Sequence, residues 1–241
     1  MLPDLAAVAA DAAARVAAIS ERAVGSRGAC AVALAGGETP KTLYALLAAE
    51  PYRTRIPWGH LQIFWGDERC VPPDDPRSNY RTAYEMLLSK VSVPEENIHR
   101  MPADTADHKA AAAAYAETLR AVLPATADGW PRFDLVLLGL GDNAHTASLF
   151  PRTEALRERD RTVVAQFVED AKMWRMTLTV PVLTHAAEVL FLVSGAGKAE
   201  AVRAVLEEPA DPEDVPAALI RPVDGRITWL LDAPAASRLT R

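Results

Sequence analysis

The chain has 241 residues, half of them hydrophobic and 24% charged, with a formal net charge of −6. At roughly 100–200 residues per domain this is one large domain or two small ones, with enough apolar mass to bury a core, which excludes compositional disorder. An acidic balance argues against a partner held by phosphate neutralisation along nucleic acid.

In chain order, the alanine-rich stretch Met1 to Gly25 predicts an amphipathic helix. Asp4, Asp11, Arg15, Glu21 and Arg22 interrupt it, so it lacks the unbroken apolar run of a signal peptide. Residues 29–35 predict a buried strand, 39–49 a helix, and 61–65 a second strand followed by a polar loop over 66–78. Helices are expected over 79–90 and 107–123, and a strand over 133–138. Strands over 176–180 and 189–194, a helix over 198–208 and a last strand over 227–231 complete the chain. No run approaches the ~20 apolar residues that a membrane helix needs. Continuous apolar strands separated by helices predict a single α/β domain over 1–241, a mostly parallel sheet with helices on both faces. The acidic, proline-rich stretch 207–216 reads as a mobile, solvated loop.

In a parallel sheet ligands sit beyond the carboxyl ends of the strands, so the loops there carry the functional signal. The first is Gly36-Gly37-Glu38-Thr39-Pro40. Two glycines allow close backbone approach, Thr39 suits an N-cap and Pro40 the first helical position; free amides at a helix start attract an anion. The second is Trp65-Gly66-Asp67-Glu68-Arg69-Cys70, running on to Ser78-Asn79-Tyr80-Arg81. Here Arg69 suits a bidentate anion contact. The third, Gly139 to Pro151, holds His145 among small and hydroxylated residues. Residues 139–144 match G-x-G-x-x-[GA], but Pro151 stops any helix where a dinucleotide fingerprint would open a full crossover helix. Arg175 and Lys198 supply two further cations beside strands, Lys198 against its helix dipole. His60, His99, His108 and His185 have no motif around them and read as surface or satisfied residues. Cys30 and Cys70 form no disulfide framework and point to a reduced, cytoplasmic setting without thiol chemistry.

In this order GGETP, WGDERCVP…SNYR, GLGDNAHTASLFP, RMTLTVPVL and VSGAGKAEAV resemble the 6-phosphogluconolactonase family, over about residues 30 to 205. The resemblance implies the sandwich of the glucosamine-6-phosphate deaminases and ribose-5-phosphate isomerases, with a sugar-phosphate substrate and neither cofactor nor metal. It also implies a catalytic histidine at His145 and an arginine reaching the substrate at Arg69. Phosphate contacts are implied at Gly37, Thr39, Arg175 and Lys198. Gly36, Asp67, Asn79, Gly141, Asn143 and Thr146, from the same loops, complete the candidate substrate-binding set. One departure stands out: members often read Asp-Gly-His where this chain has Asn143-Ala144-His145.

The expected reaction is hydrolysis of 6-phospho-D-glucono-1,5-lactone, the second step of the oxidative pentose phosphate pathway. Histidine, with an ordinary pKa of ~6.5, would serve as general base to water. The alternatives are an isomerase or deaminase of a sugar phosphate, which needs a carboxylate base that Asn143 does not supply, and a non-catalytic sugar-phosphate sensor. A monomer, or at most a weak dimer, is expected, with no nucleic acid or membrane partner.

Overall fold

In the computed structural model, which describes residues 1–207 and 211–240, helix α1 spans Leu5–Arg27. Asp4 caps it by accepting from the Ala7 amide at 2.9 Å, and Gly28 ends it at φ +79°. Its buried face is mostly alanine with Val8, Val16 and Ile19, so the helix lies close against the sheet. There follow β1 (Cys30–Leu34), α2 (Glu38–Leu47), α3 (Tyr52–Arg55), β2 (Leu61–Trp65), β3 (Asp67–Arg69), α4 (Asn79–Met86) and α5 (His108–Val122). The second half holds β4 (Leu135–Leu138), β5 (Val163–Val168), β6 (Met173–Leu178), α6 (Val180–Thr184), β7 (Glu188–Val193), α7 (Ala199–Leu206) and β8 (Arg226–Leu231).

Five strands form one parallel sheet in the order β2-β1-β4-β7-β8. Every residue of β1 and β4 is buried, as the unbroken apolar runs demand of strands covered on both faces. From β1 the chain turns to one side, to β2; from β4 it turns to the other, to β7 and β8. The strand order reverses between β1 and β4, where a crevice opens at the carboxyl ends.

A second, antiparallel sheet, β3-β6-β5, is absent from the sequence-based expectation. The polar segment expected to be loop over 66–78 begins with a strand, and 163–168 is a strand that the pattern does not predict. Gly66 joins the two sheets: its amide donates to Leu34 and its carbonyl accepts from Leu178, both at 2.9 Å. Boundaries shift elsewhere. The strand expected over 176–180 runs from Met173 to Leu178, and the helix expected over 79–90 ends at Met86 in a 3-10 turn at Leu88–Lys90. Of the loop expected over 207–216, residues 208–210 lie outside the described residues; Glu213 and Asp214 pair with Arg157 and Arg152.

Candidate active site

The loops after β1, β2 and β4 converge, with Arg175 and Lys198, on a cavity of about 430 Å³. It is lined by Gly36, Gly37, Asp67, Arg69, Gly141, His145, Thr146, Arg175 and Lys198, nine of the twelve residues singled out in the sequence. Thr39, Asn79 and Asn143 do not line it. Phe150, Asp170 and Ala171 do, and sequence reasoning missed them. Asp170 and Ala171 sit in the turn between β5 and β6, a hairpin that an unpredicted strand creates.

The glycine loop is shaped from behind. Tyr44, fully buried on α2, donates its hydroxyl to the Ala35 carbonyl at 2.5 Å and accepts the Ala35 amide at 3.1 Å, fastening the end of β1. Gly37, at φ +101°, precedes α2, so the helix starts at Glu38 and not after a Thr39 cap. Thr39 is the second helical residue, and Pro40 the third. A side chain at Gly36 would put its Cβ 1.9 Å from Asn79 Oδ1. Asn79 therefore lies beneath the loop; its amide donates to the Asp67 carbonyl at 2.9 Å.

The Asp67-Glu68-Arg69 triplet divides between cavity and core by strand alternation. Asp67 and Arg69 line the cavity, while Glu68, 4% exposed, turns inward. Its carboxylate accepts four hydrogen bonds: from Ser78 Oγ at 3.1 Å and from the amides of Arg69, Asn79 and Tyr80, each at 2.7 Å. Two of those amides open α4, so the acid caps that helix in place of an external anion. Burial pushes the Glu68 carboxyl above its ordinary value against the pull of those donors. Asp67 accepts Ser148 Oγ at 2.6 Å, a buried contact that ties β3 to the loop after β4.

Antiparallel register sets Arg69 opposite Arg175. Arg69 donates to the Arg77 carbonyl at 2.7 Å, and neither guanidinium has a carboxylate within 4 Å among the described residues. The Nε atoms of both are buried without a hydrogen-bond partner. Burial, and then the neighbouring Arg69, hold Arg175 below its ordinary value. Two adjacent guanidiniums with unused donors match an oxyanion carrying more than one charge.

The loop after β4 is a tight coil around His145. The Gly141 amide donates to the His145 carbonyl at 2.8 Å, the Ala144 amide to the Gly141 carbonyl at 3.0 Å, and Thr146 Oγ1 to the Gly139 carbonyl at 2.9 Å. A Cβ at Gly141 would fall 2.0 Å from His145 Nδ1, so the imidazole occupies the space that glycine leaves. Ala144 sits at φ +60°, a left-handed conformation that glycine adopts without strain. The ring stacks on Phe150, centroids 4.1 Å apart.

His145 Nδ1 lies 2.6 Å from Asn143 Oδ1, which also faces the His145 amide at 3.3 Å. The backbone amide is an obligatory donor, so the atom it faces is the acceptor oxygen. The Nδ1 position therefore carries the proton and Nε2 keeps its lone pair. Burial is the largest influence on this imidazole and lowers its pKa to about 4; Asp67 opposes that, and Lys198 and Arg175 add to it. The ordinary histidine value expected from sequence is thus corrected: His145 is neutral at any pH near 7.

Of the other histidines, His60 contacts the Gly28 carbonyl at 3.1 Å, His99 the Gln62 side chain at 2.7 Å and His185 Asp128 at 3.0 Å. His108 packs on Trp174 and leaves Nδ1 buried without a partner. Burial raises the thiols, Cys30 to about 12 and Cys70 to about 11, far from nucleophile range.

Residues 3–229 match the family model of glucosamine-6-phosphate isomerases/6-phosphogluconolactonase. The chain is 43% identical over 218 residues to a 6-phosphogluconolactonase of Synechocystis, covering 90% of this chain and 88% of that protein. A crystal structure of a protein named devB superposes with a TM-score of 0.91 at 38% identity, over 100% of this chain and 98% of that one. The structure of 6-phosphogluconolactonase from Trypanosoma brucei gives a TM-score of 0.87 at 32% identity, over 100% and 97% of the two chains.

Proposed function

This chain belongs to the glucosamine-6-phosphate isomerase/6-phosphogluconolactonase family, and on that premise we propose that it hydrolyses 6-phospho-D-glucono-1,5-lactone to 6-phosphogluconate in the pentose phosphate pathway. The observation that carries the reading is a neutral imidazole, its Nδ1 proton committed to Asn143, in one cavity with Arg69 and Arg175, neither of them ion-paired among the described residues.

Arg175 and Lys198, with the Gly36-Gly37 backbone, hold the 6-phosphate. Its binding energy orients the lactone carbonyl carbon against His145. Nε2 accepts a proton as water attacks that carbon, and the carbonyl oxygen becomes anionic. Arg69 and the amides of the loop after β4 are the donors available to it. When the ring carbon–oxygen bond breaks, the imidazolium returns its proton to the departing ring oxygen. The products are the free hydroxyl and the carboxylic acid, which ionises in water. A lactone is an activated ester, so general acid–base assistance of ~10²–10⁴-fold suffices without a covalent intermediate.

An isomerase or deaminase needs a carboxylate base at the sugar. Asn143 cannot carry that charge; of the carboxylates that line the cavity, Asp67 already accepts Ser148 Oγ at 2.6 Å and Asp170 sits in the β5–β6 turn. A pH-stat comparison of lactone hydrolysis with and without the 6-phosphate tests the reading. Turnover that depends on the phosphate is expected; equal efficiency on gluconolactone would remove the anchor, and no turnover of either would favour a non-catalytic sensor.

A further inference from the structure

Lys198 differs from the two cavity arginines in being already paired. Its Nζ is bonded to the carboxylate of Asp142. Asp142 belongs to the loop after β4 and Lys198 to the turn after β7, so the pair joins two loops at the mouth of the cavity. Lys198 lines that cavity and Asp142 does not. The Asp142 side chain is 78% exposed against 30% for Lys198. A phosphate that reaches Lys198 therefore meets a competitor already in place.

We propose that Asp142 is an internal counter-ion: it holds Lys198 while the site is empty, yields it to the ligand's phosphate, and reclaims it as product leaves. The proposal rests on the reading that this cavity takes a phosphate. An exposed carboxylate can swing into water at small cost, because water replaces most of what the ion pair supplied. The competition is correspondingly mild. An exposed pair weighs about two- to fivefold in a binding constant. The product keeps the substrate's phosphate, so a site with Lys198 permanently free would hold it longer. Asp142 thus weakens substrate and product together and favours release.

The test is a double-mutant cycle read by calorimetric titration with inorganic phosphate, on the wild type, Asp142→Asn, Lys198→Ala and the double variant. At its exposed position Asp142→Asn leaves the fold intact. It should tighten phosphate about two- to fivefold, and lower the inhibition constant of 6-phosphogluconate in parallel. In the Lys198→Ala background the same substitution should change nothing. An equal gain in both backgrounds would make Asp142 a general negative charge and overturn the proposal, as would unchanged or weaker binding by Asp142→Asn. Failure of the wild type both to bind phosphate and to hydrolyse phosphorylated lactone would overturn the parent reading too. Phosphate binding without an Asp142 effect would overturn the counter-ion alone.

Discussion

Asn143 holds His145 through a single side-chain oxygen that accepts the Nδ1 proton at 2.6 Å and faces the histidine amide at 3.3 Å. An amide here does the orienting work that an aspartate could do, but adds no charge. Asn143→Asp should keep activity within roughly tenfold, about 1.4 kcal/mol in the barrier. The added carboxylate favours the imidazolium, so the His145 pKa should rise above about 4. Steady-state kinetics of both proteins, corrected for spontaneous hydrolysis, check this; a hundredfold gain from the aspartate would show that the charge is essential.

The acidic limb of kcat/KM should follow the same group in the free enzyme. His145 works as a base only when neutral, so activity should hold through pH 6.5 and fall as pH approaches about 4. A limb at the ordinary histidine value would mean that the ring is more hydrated than its packing on Phe150 implies. NMR titration of the imidazole provides an independent midpoint.

Arg175→Ala removes a charge-assisted contact from a partly buried anion site. The expected cost is ~1.5–3 kcal/mol, appearing in KM at least as much as in kcat. Competitive inhibition by inorganic phosphate should weaken in step, which separates a binding defect from a catalytic one.

Gly141→Ala would place a methyl group where His145 Nδ1 lies, at 2.0 Å. The ring must move, so kcat should drop by about a hundredfold, the size of effect that a 1 Å misplacement can have. Circular dichroism should remain native. A rate within a few fold of wild type would show that the imidazole position is not critical.

Glu68 accepts four hydrogen bonds in the core and touches no part of the cavity. Glu68→Gln turns an NH2 group toward backbone donors, and Glu68→Ala abandons them. Either should cost about 2–3 kcal/mol, lowering Tm by roughly 5–10 °C. Burial raises this carboxyl's pKa in the folded state, so its ionisation opposes folding as pH rises past the unfolded value. The denaturation midpoint should respond more to these variants than kcat does at 25 °C.

The parallel sheet was legible because both faces of β1 and β4 are covered, which leaves continuous apolar runs in the sequence. The antiparallel sheet was not. Asp67, Glu68 and Arg69 read as a polar, ligand-facing loop and not as a strand because their partners, Ser148, Ser78 and the amides opening α4, lie far along the chain or on the backbone. In β5, buried and exposed residues do not alternate: Val163, Val164 and Val168 are buried while Phe167 is exposed. The loop after β4 announced His145 through its position behind a strand, yet its lowered pKa arises from burial that only packing creates. Likewise, Arg69 and Arg175 were visible separately; that they are cross-strand partners depends on a register that no local pattern encodes.

In the proposed reaction neutral His145 delivers a water to a lactone anchored by its phosphate. Its most direct test is pH-stat hydrolysis of 6-phospho-D-glucono-1,5-lactone by His145→Asn, compared with the wild type at equal folded concentration. A loss of about 10²–10⁴-fold in kcat with little change in KM is expected. A folded variant that retains wild-type kcat would contradict the account.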